Sequence, residues 1–122
     1  MKQNSIKSLI LPVSNIAIDA GAIINKFYKS KIKFSLKKDN SPLTTADIYS
    51  NNFITNSLSI LYPKIPILSE ESLVPWKVRK KWQRYWLVDP LDGTKEFLKK
   101  NKEFTVNIAL IEKNKPVLGV IY

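Results

Sequence analysis

The sequence contains no cysteine and no histidine among its 122 residues. This absence excludes disulfides, thiol nucleophiles, Ser-His-Asp triads and the usual zinc ligands. Any chemistry must therefore use carboxylates, hydroxyls, amines and oxygen-bound metal ions. We also find no apolar run approaching the ~20 residues of a membrane span, and no signal-peptide pattern at the N-terminus. We therefore expect a cytoplasmic protein.

Acidic residues are scarce, because 10 Asp and Glu stand against 20 Lys and Arg, for a formal net charge of +10. Such an excess can indicate a nucleic-acid partner or an anionic membrane surface. Only 2 of the basic residues are Arg, on which base-edge recognition relies, and the 18 Lys are scattered. With 15 Ile and 10 Asn, the composition is typical of an AT-rich genome. We expect no specific nucleic-acid partner, and keep peripheral contact with the inner face of the cytoplasmic membrane as an alternative.

The hydrophobic content of 44% supplies one core, so a single domain is expected over 1–122. Apolar residues follow helical spacing over 10–28, with Pro12 in the first turn, after a loose segment at 1–8. A second helix is predicted from Thr44 or Thr45 to about residue 61.

The remaining apolar segments have the length and pattern of strands. Short strands are expected at 66–68 and 86–88, and residues 104–111 alternate with period two. Residues 116–122 form another β run, and 112–115 form a hairpin-length loop between the two. These last two strands are predicted to pair antiparallel.

The segment 86–94 is the most informative, because an apolar strand leads directly into two carboxylates. Asp followed by Pro favours a type I turn, which would point Asp89 and Asp92 toward one region. Mg2+ prefers such hard oxygen ligands, and the Leu91 carbonyl is a further candidate. The competing interpretation is a strand ended by an Asx-type turn, in which both carboxylates cap backbone N–H groups.

The next residues are suited to phosphate. Gly93 and Thr94 open a predicted short helix over 95–100, whose free N–H groups could hold a phosphate oxygen.

Three further acids lie beside apolar or turn sequence. Thr44 followed by Asp47 predicts a capping box, which is the structural alternative to a catalytic Asp47. Glu70 and Glu71 follow the strand at 66–68, and a solvated turn is their ordinary interpretation.

Three segments in this order, SPLTTAD (41–47), ILSEE (67–71) and DPLDGT (89–94), resemble the inositol monophosphatase-like superfamily of metal-dependent phosphatases. The flanking segments are similar to the bacterial 3'(2'),5'-bisphosphate nucleotidase subgroup: DNSP (39–42), WQRYWLV (82–88), KEF (95–97) and EFTVN (103–107). The resemblance implies an α+β fold of the layered α/β sandwich type, with two helices plus antiparallel strands here. It also implies hydrolysis of 3'-phosphoadenosine 5'-phosphate to AMP and phosphate, with two or more Mg2+ ions and inhibition by lithium.

The resemblance further implies roles for individual residues. The metal ligands would be Glu70, Asp89, Asp92 and the Leu91 carbonyl. The catalytic residues would be Asp47, Glu70 and Thr94, with Asp47 and Thr94 aligning the attacking water. The substrate-binding residues would be Glu70, Leu91, Asp92, Gly93 and Thr94.

Members of this superfamily are much longer, so the chain resembles the N-terminal portion of such an enzyme. Three alternatives stay open from sequence. The substrate is an inositol phosphate or another sugar phosphate; the chain is a non-catalytic remnant, or a half that acts by self-association or with a complementary chain; or it is a basic nucleic-acid-binding module.

Overall fold

A computed structural model describes residues 3–28, 34–36, 42–95 and 104–122. The elements in chain order are helix α1 (Gln3–Tyr28), strands β1 (Phe34–Leu36) and β2 (Pro42–Thr44), helix α2 (Thr45–Leu61), strand β3 (Ile67–Ser69), helix α3 (Trp76–Arg79), and strands β4 (Arg84–Asp92), β5 (Thr105–Glu112) and β6 (Lys115–Ile121). Helices α1 and α2 pack together against a four-stranded sheet, which confirms the predicted α+β class.

The sheet has the strand order β3-β4-β5-β6. Strands β4, β5 and β6 pair antiparallel, whereas β3 is parallel to β4, with Ile67 opposite Trp86. The predicted antiparallel strands are thus found at β4, β5 and β6, and the parallel pairing of β3 was not predicted. Parallel strands start at the same end of a sheet, so the chain must cross back after β3 before β4 begins. The connection over 70–83 is long enough for this. A second sheet, the antiparallel pair of β1 and β2, was not predicted.

The hairpin between β5 and β6 confirms the predicted antiparallel pair. Its turn consists of Lys113 and Asn114, whose φ angles of 51° and 65° are both positive. Two such residues match the twist of a hairpin, because a type I′ turn requires positive φ at both central positions.

The core lies between the helices and one face of the sheet. Alternate residues of β4 and β5, including Trp86, Val88, Ile108 and Leu110, are fully buried. Helix α1 runs so close to the sheet that a Cβ atom at Gly21 would lie 2.7 Å from the Tyr122 ring.

Helix α1 begins earlier than predicted, at Gln3, so that residues 3–8 are helical and Pro12 lies inside the helix. The apolar stripe explains the difference, because Leu9 is buried and Ile6 packs against the core one turn before the predicted start. This packing compensates for the one helical hydrogen bond that a proline removes.

One segment of α1, Ile6–Phe27, is long and apolar enough to cross a membrane by length and composition. We had expected no run of that length. The apolar side of α1 packs against α2, β5 and β6, so packing in the core explains why this helix is apolar.

Candidate active site

The acid-bearing end of β4 is shaped by a β-bulge. Asp89 lies opposite Asn107 and Asp92 lies opposite Thr105, so β4 has one residue more than β5 between these pairs. The predicted type I turn at 89–92 is therefore replaced by an irregular continuation of the strand. Pro90 suits this position, since a proline has no N–H to give to the ladder. Bulges of this kind redirect side chains and are common beside active sites.

Glu70 and Asp89 lie at the ends of neighbouring parallel strands. The Glu70 N–H donates to the Val88 carbonyl at 3.2 Å, which places Glu70 beside Asp89. Burial, together with the negative charges of Glu70 and Asp92, raises the pKa of Asp89 to about 7. A hydrogen bond between the Glu70 and Asp89 side chains also favours the protonated form, whereas the Leu91 N–H stabilises the carboxylate. The Leu91 contact is the Asx-type interaction weighed from sequence, and it involves Asp89.

The surroundings of Asp89 fit a divalent cation. Its Oδ1 atom is buried and has no hydrogen-bond partner in the part of the chain that the structure describes. An unpaired buried carboxylate oxygen is costly unless a cation or a proton neutralises it. The donors at hand are carboxylate and carbonyl oxygens, which suit Mg2+. Across 3–28, 34–36, 42–95 and 104–122, no three acidic side chains are already gathered into a metal-binding cluster. A carbonyl or water would therefore have to complete the ligand set.

Asp92 is exposed and lies on the far side of the bulge from Asp89. Its Oδ2 accepts a hydrogen bond from Asn107 Nδ2 at 3.2 Å. The Oδ1 of Asn107 in turn accepts from the Thr105 hydroxyl at 2.9 Å. These two hydrogen bonds fix the orientation of the Asn107 amide, so that its NH2 group faces the Asp92 carboxylate.

Asp47 is fully buried and has two separate tasks. Its Oδ2 accepts from the Thr44 N–H at 2.8 Å and from the Thr44 hydroxyl, while the Asp47 N–H donates back to Thr44 Oγ1 at 3.2 Å. The predicted capping box is thus confirmed. Its Oδ1 accepts from the Thr94 hydroxyl at 2.9 Å. Capping therefore occupies one oxygen of Asp47, and the other oxygen binds a residue of the candidate site.

Gly93 provides the bend that brings Thr94 to Asp47. Its φ of 87° lies in the region that side-chain-bearing residues rarely adopt. Thr94 Oγ1 also lies 3.2 Å from the Leu91 carbonyl. A hydroxyl has one proton, so donation to Asp47 leaves that carbonyl available to another group. Thr94 and Lys95 begin a helical turn, and residues 96–100 of the predicted helix lie outside the described part.

One face of helix α2 contacts the segments that carry Glu70, Asp89 and Thr94. Asp47 binds Thr94, and one turn later the Ser50 hydroxyl donates to the Pro90 carbonyl at 2.7 Å. Asn51 contacts Ser69 and Ser72, the residues on either side of the Glu70 and Glu71 pair. Sequence reasoning did not identify Ser50 and Asn51. Their signal was available, since both lie on the same helical face as Asp47.

A groove of about 350 Å³ lies beside this site, on the sheet face opposite the helices. Glu70, Asp89 and Asn107 line its polar part, and Leu87 and Ile121 belong to its apolar part. The carboxylates therefore face an open space and not the helix-covered core.

Comparison with known proteins identifies the family. The inositol monophosphatase family pattern matches residues 7–122. The chain belongs to this family. It is 55% identical over 112 residues to the 3'(2'),5'-bisphosphate nucleotidase CysQ of Salmonella typhimurium, which covers 90% of this chain and 46% of that protein. The CysQ of Buchnera aphidicola from Acyrthosiphon pisum is 51% identical over 95% of this chain and 44% of its own length.

Solved structures show the same fold. The extragenic suppressor protein SuhB of Bartonella henselae superposes with a TM-score of 0.84 at 34% identity, covering 94% of this chain and 45% of that one. CysQ of Bacteroides thetaiotaomicron, described as a bacterial member of the inositol monophosphatase family, gives 0.78 at 44% identity, covering 94% of this chain and 42% of its own. The chain thus spans about half the length of the relatives it matches.

Proposed function

We propose that this chain carries the metal-binding and water-orienting part of a Mg2+-dependent phosphatase that converts 3'-phosphoadenosine 5'-phosphate to AMP and phosphate. The observation that carries the proposal is the pairing of Glu70 with Asp89, whose buried Oδ1 lacks a partner among the described residues, next to the Asp47–Thr94 hydrogen bond. The identity of 55% to a named bisphosphate nucleotidase supports the choice of substrate.

The proposed metal ligands are Glu70, Asp89, Asp92 and the Leu91 carbonyl. Bound Mg2+ would neutralise charge on the phosphate oxygens and lower the pKa of a coordinated water. The protein's own contribution is to hold these acids in place. The Leu91 N–H contacts the Asp89 carboxylate and partly offsets the cost of burying it, and the Asn107 amide donates to Asp92 Oδ2.

Asp47 and Thr94 are proposed to orient the attacking water. Because Thr94 donates its only O–H to Asp47, the lone pairs of its oxygen are left to accept a hydrogen bond from the water. Asp47 cannot rotate away, since Thr44 binds its other oxygen. Attack of this water on phosphorus would break the bond to the ribose 3'-oxygen, and the departing oxygen would take up a proton.

Gly93 and Thr94 are proposed to bind the substrate phosphate through their backbone N–H groups. The positive φ of Gly93 directs the chain so that Thr94 starts a helical turn, where N–H groups are unpaired within the helix.

The test is phosphate release from 3'-phosphoadenosine 5'-phosphate by the purified chain with saturating Mg2+. We expect release that is lost in Asp89→Asn and kept in Asp19→Asn, an exposed acid on α1. Faster release from an inositol phosphate would instead favour the sugar-phosphate alternative. No release from a folded chain would contradict catalysis by this chain alone. A repeat with a second polypeptide that carries the rest of a relative would then distinguish a half-enzyme from a remnant.

A further inference from the structure

Asn51 occupies an unusual place for a polar helix residue. It lies on α2 with only 6% of its surface exposed, and its side chain points at the turn that carries Glu70 and Glu71. A buried amide must find partners for both its carbonyl and its NH2 group. Both are found on one short segment of the chain, Ser69 to Ser72.

That segment is a tight turn closed by its own backbone. The Ser72 N–H donates to the Ser69 carbonyl at 3.1 Å, which places Glu70 and Glu71 at the two central positions. The Glu71 N–H also donates to the Ser69 hydroxyl at 3.2 Å. Glu70 is thus presented from the tip of a four-residue turn, and a turn on a protein surface is ordinarily mobile.

Asn51 connects the two ends of this turn. Its Oδ1 accepts from Ser69 Oγ at 2.5 Å, and its Nδ2 donates to Ser72 Oγ at 2.9 Å. The directions are consistent, since Ser69 Oγ accepts from the Glu71 N–H and its own proton is then left for Asn51. One amide therefore fixes both hydroxyls that flank Glu70.

The geometry assigns Asn51 as a positioning residue: its amide ties the Glu70 turn to α2 and so fixes the direction from which Glu70 approaches Asp89. This inference rests on the proposed function only for the claim that Glu70 binds metal. The tie itself is a property of the chain without metal. Ser50, the preceding residue, binds the Pro90 carbonyl, so α2 sets the spacing between the Glu70 turn and the β4 bulge.

Amide hydrogen exchange tests the tie directly, without metal. In Asn51→Leu, which keeps the size but removes both hydrogen-bonding groups, we expect the Glu71 and Ser72 amides to exchange about tenfold faster or more. Amides of the second half of α2 should be unchanged. Asn52→Leu is the matched control, since the same change is made one residue away on an exposed position. Ser72→Ala removes one of the two contacts at an exposed residue, and it decides the question if Asn51→Leu does not fold.

Metal binding is then measured separately by following backbone shifts during Mg2+ titration. Loss of residues that orient metal ligands typically weakens metal binding 10- to 100-fold. We expect about a tenfold rise in the Mg2+ dissociation constant for Asn51→Leu and no change for Asn52→Leu.

Each outcome decides one claim. Unchanged exchange at Glu71 and Ser72 overturns the tie, whatever the metal does. Faster exchange with unchanged Mg2+ affinity overturns the claim that the tie presents Glu70 to a metal. Faster exchange in a chain that binds no Mg2+ at all supports the tie and counts against the proposed function.

Discussion

Replacing Asp89 by Asn should stabilise the metal-free chain at neutral pH. Burial and two neighbouring carboxylates raise the pKa of Asp89 from 3.8 to about 7. A raised pKa means that the folded chain opposes ionisation of this acid. Well below pH 3.8 the carboxyl is protonated in the folded and the unfolded chain, so it does not change the free energy of unfolding. As the pH rises toward 7 the unfolded chain releases its proton while the folded chain retains it, so stability falls.

The size of the effect follows from the shift. At ~1.4 kcal/mol per pKa unit, a shift of this size corresponds to at most about 4 kcal/mol. The Asp89 carboxyl is only half-buried, so solvent screening lowers this free-energy cost. We expect the wild type to lose about 1 to 2 kcal/mol relative to Asp89→Asn between pH 4 and pH 8.

Urea unfolding followed by tryptophan fluorescence, in EDTA from pH 4 to pH 8, measures this difference. Other acids titrate in the same range, so the quantity to compare is the gap between the wild type and Asp89→Asn at each pH. Asp19→Asn serves as the control because this acid is exposed on α1. Saturating Mg2+ should restore about 2 to 3 kcal/mol to the wild type at pH 8 and much less to the variant. A gap that stays constant with pH would refute the electrostatic argument.

Three further variants test other parts of the structure. Asn107→Ala removes the amide that binds Asp92, and we expect calorimetry to show about tenfold weaker Mg2+ binding. An unchanged Mg2+ affinity would show that Asn107 does not support the site. Asp47→Asn disturbs both the helix cap and the Thr94 contact. We expect the free energy of unfolding in urea to fall by about 1 kcal/mol and phosphate release to be at least ~100-fold slower. A loss of stability without slower release would show that Asp47 serves only as a helix cap. Gly21→Ala places a Cβ 2.7 Å from the Tyr122 ring, which has to shift, so the variant should gain less than the ~1 kcal/mol by which alanine is favoured over glycine in a helix. In a Tyr122→Ala background the same change should gain the full ~1 kcal/mol of unfolding free energy, and equal effects in both backgrounds would refute the contact.

Elements with strong local signals could be predicted from the sequence. Helix α2 begins at its Thr44 cap and ends before Pro63, and both signals lie within one turn of the boundary. The β5-β6 hairpin has alternating apolar residues on either side of a short turn. The start of α1 and the parallel pairing of β3 have no such signal. Each depends on contacts with distant parts of the chain, the first with the core and the second with β4.

The candidate site likewise combines residues that the sequence predicts with a geometry that it does not predict. Its acids lie in contiguous motifs, so resemblance to a family could identify Asp89 and Asp92. The bulge that separates them depends on pairing with β5, which the motif itself does not contain. Asp-Pro favours a turn locally, but the pairing of Asp89 with Asn107 and of Asp92 with Thr105 requires the strand to continue. Tertiary pairing therefore overrode the turn preference.

The residues that hold the site had a sequence signal of a different kind. The buried face of α2 continues from Asp47 through Ser50 and Asn51 to Ile54 and Leu58. An ordinary core helix has apolar residues at all such positions, and polar residues there are destabilising unless each finds a partner. In this helix the first turns of the core face are polar, and each polar side chain is matched by a group on an acid-bearing segment. The break in the apolar stripe thus predicts where α2 meets the site, while the identity of the partners, 18 to 47 residues away in the chain, follows only from the fold.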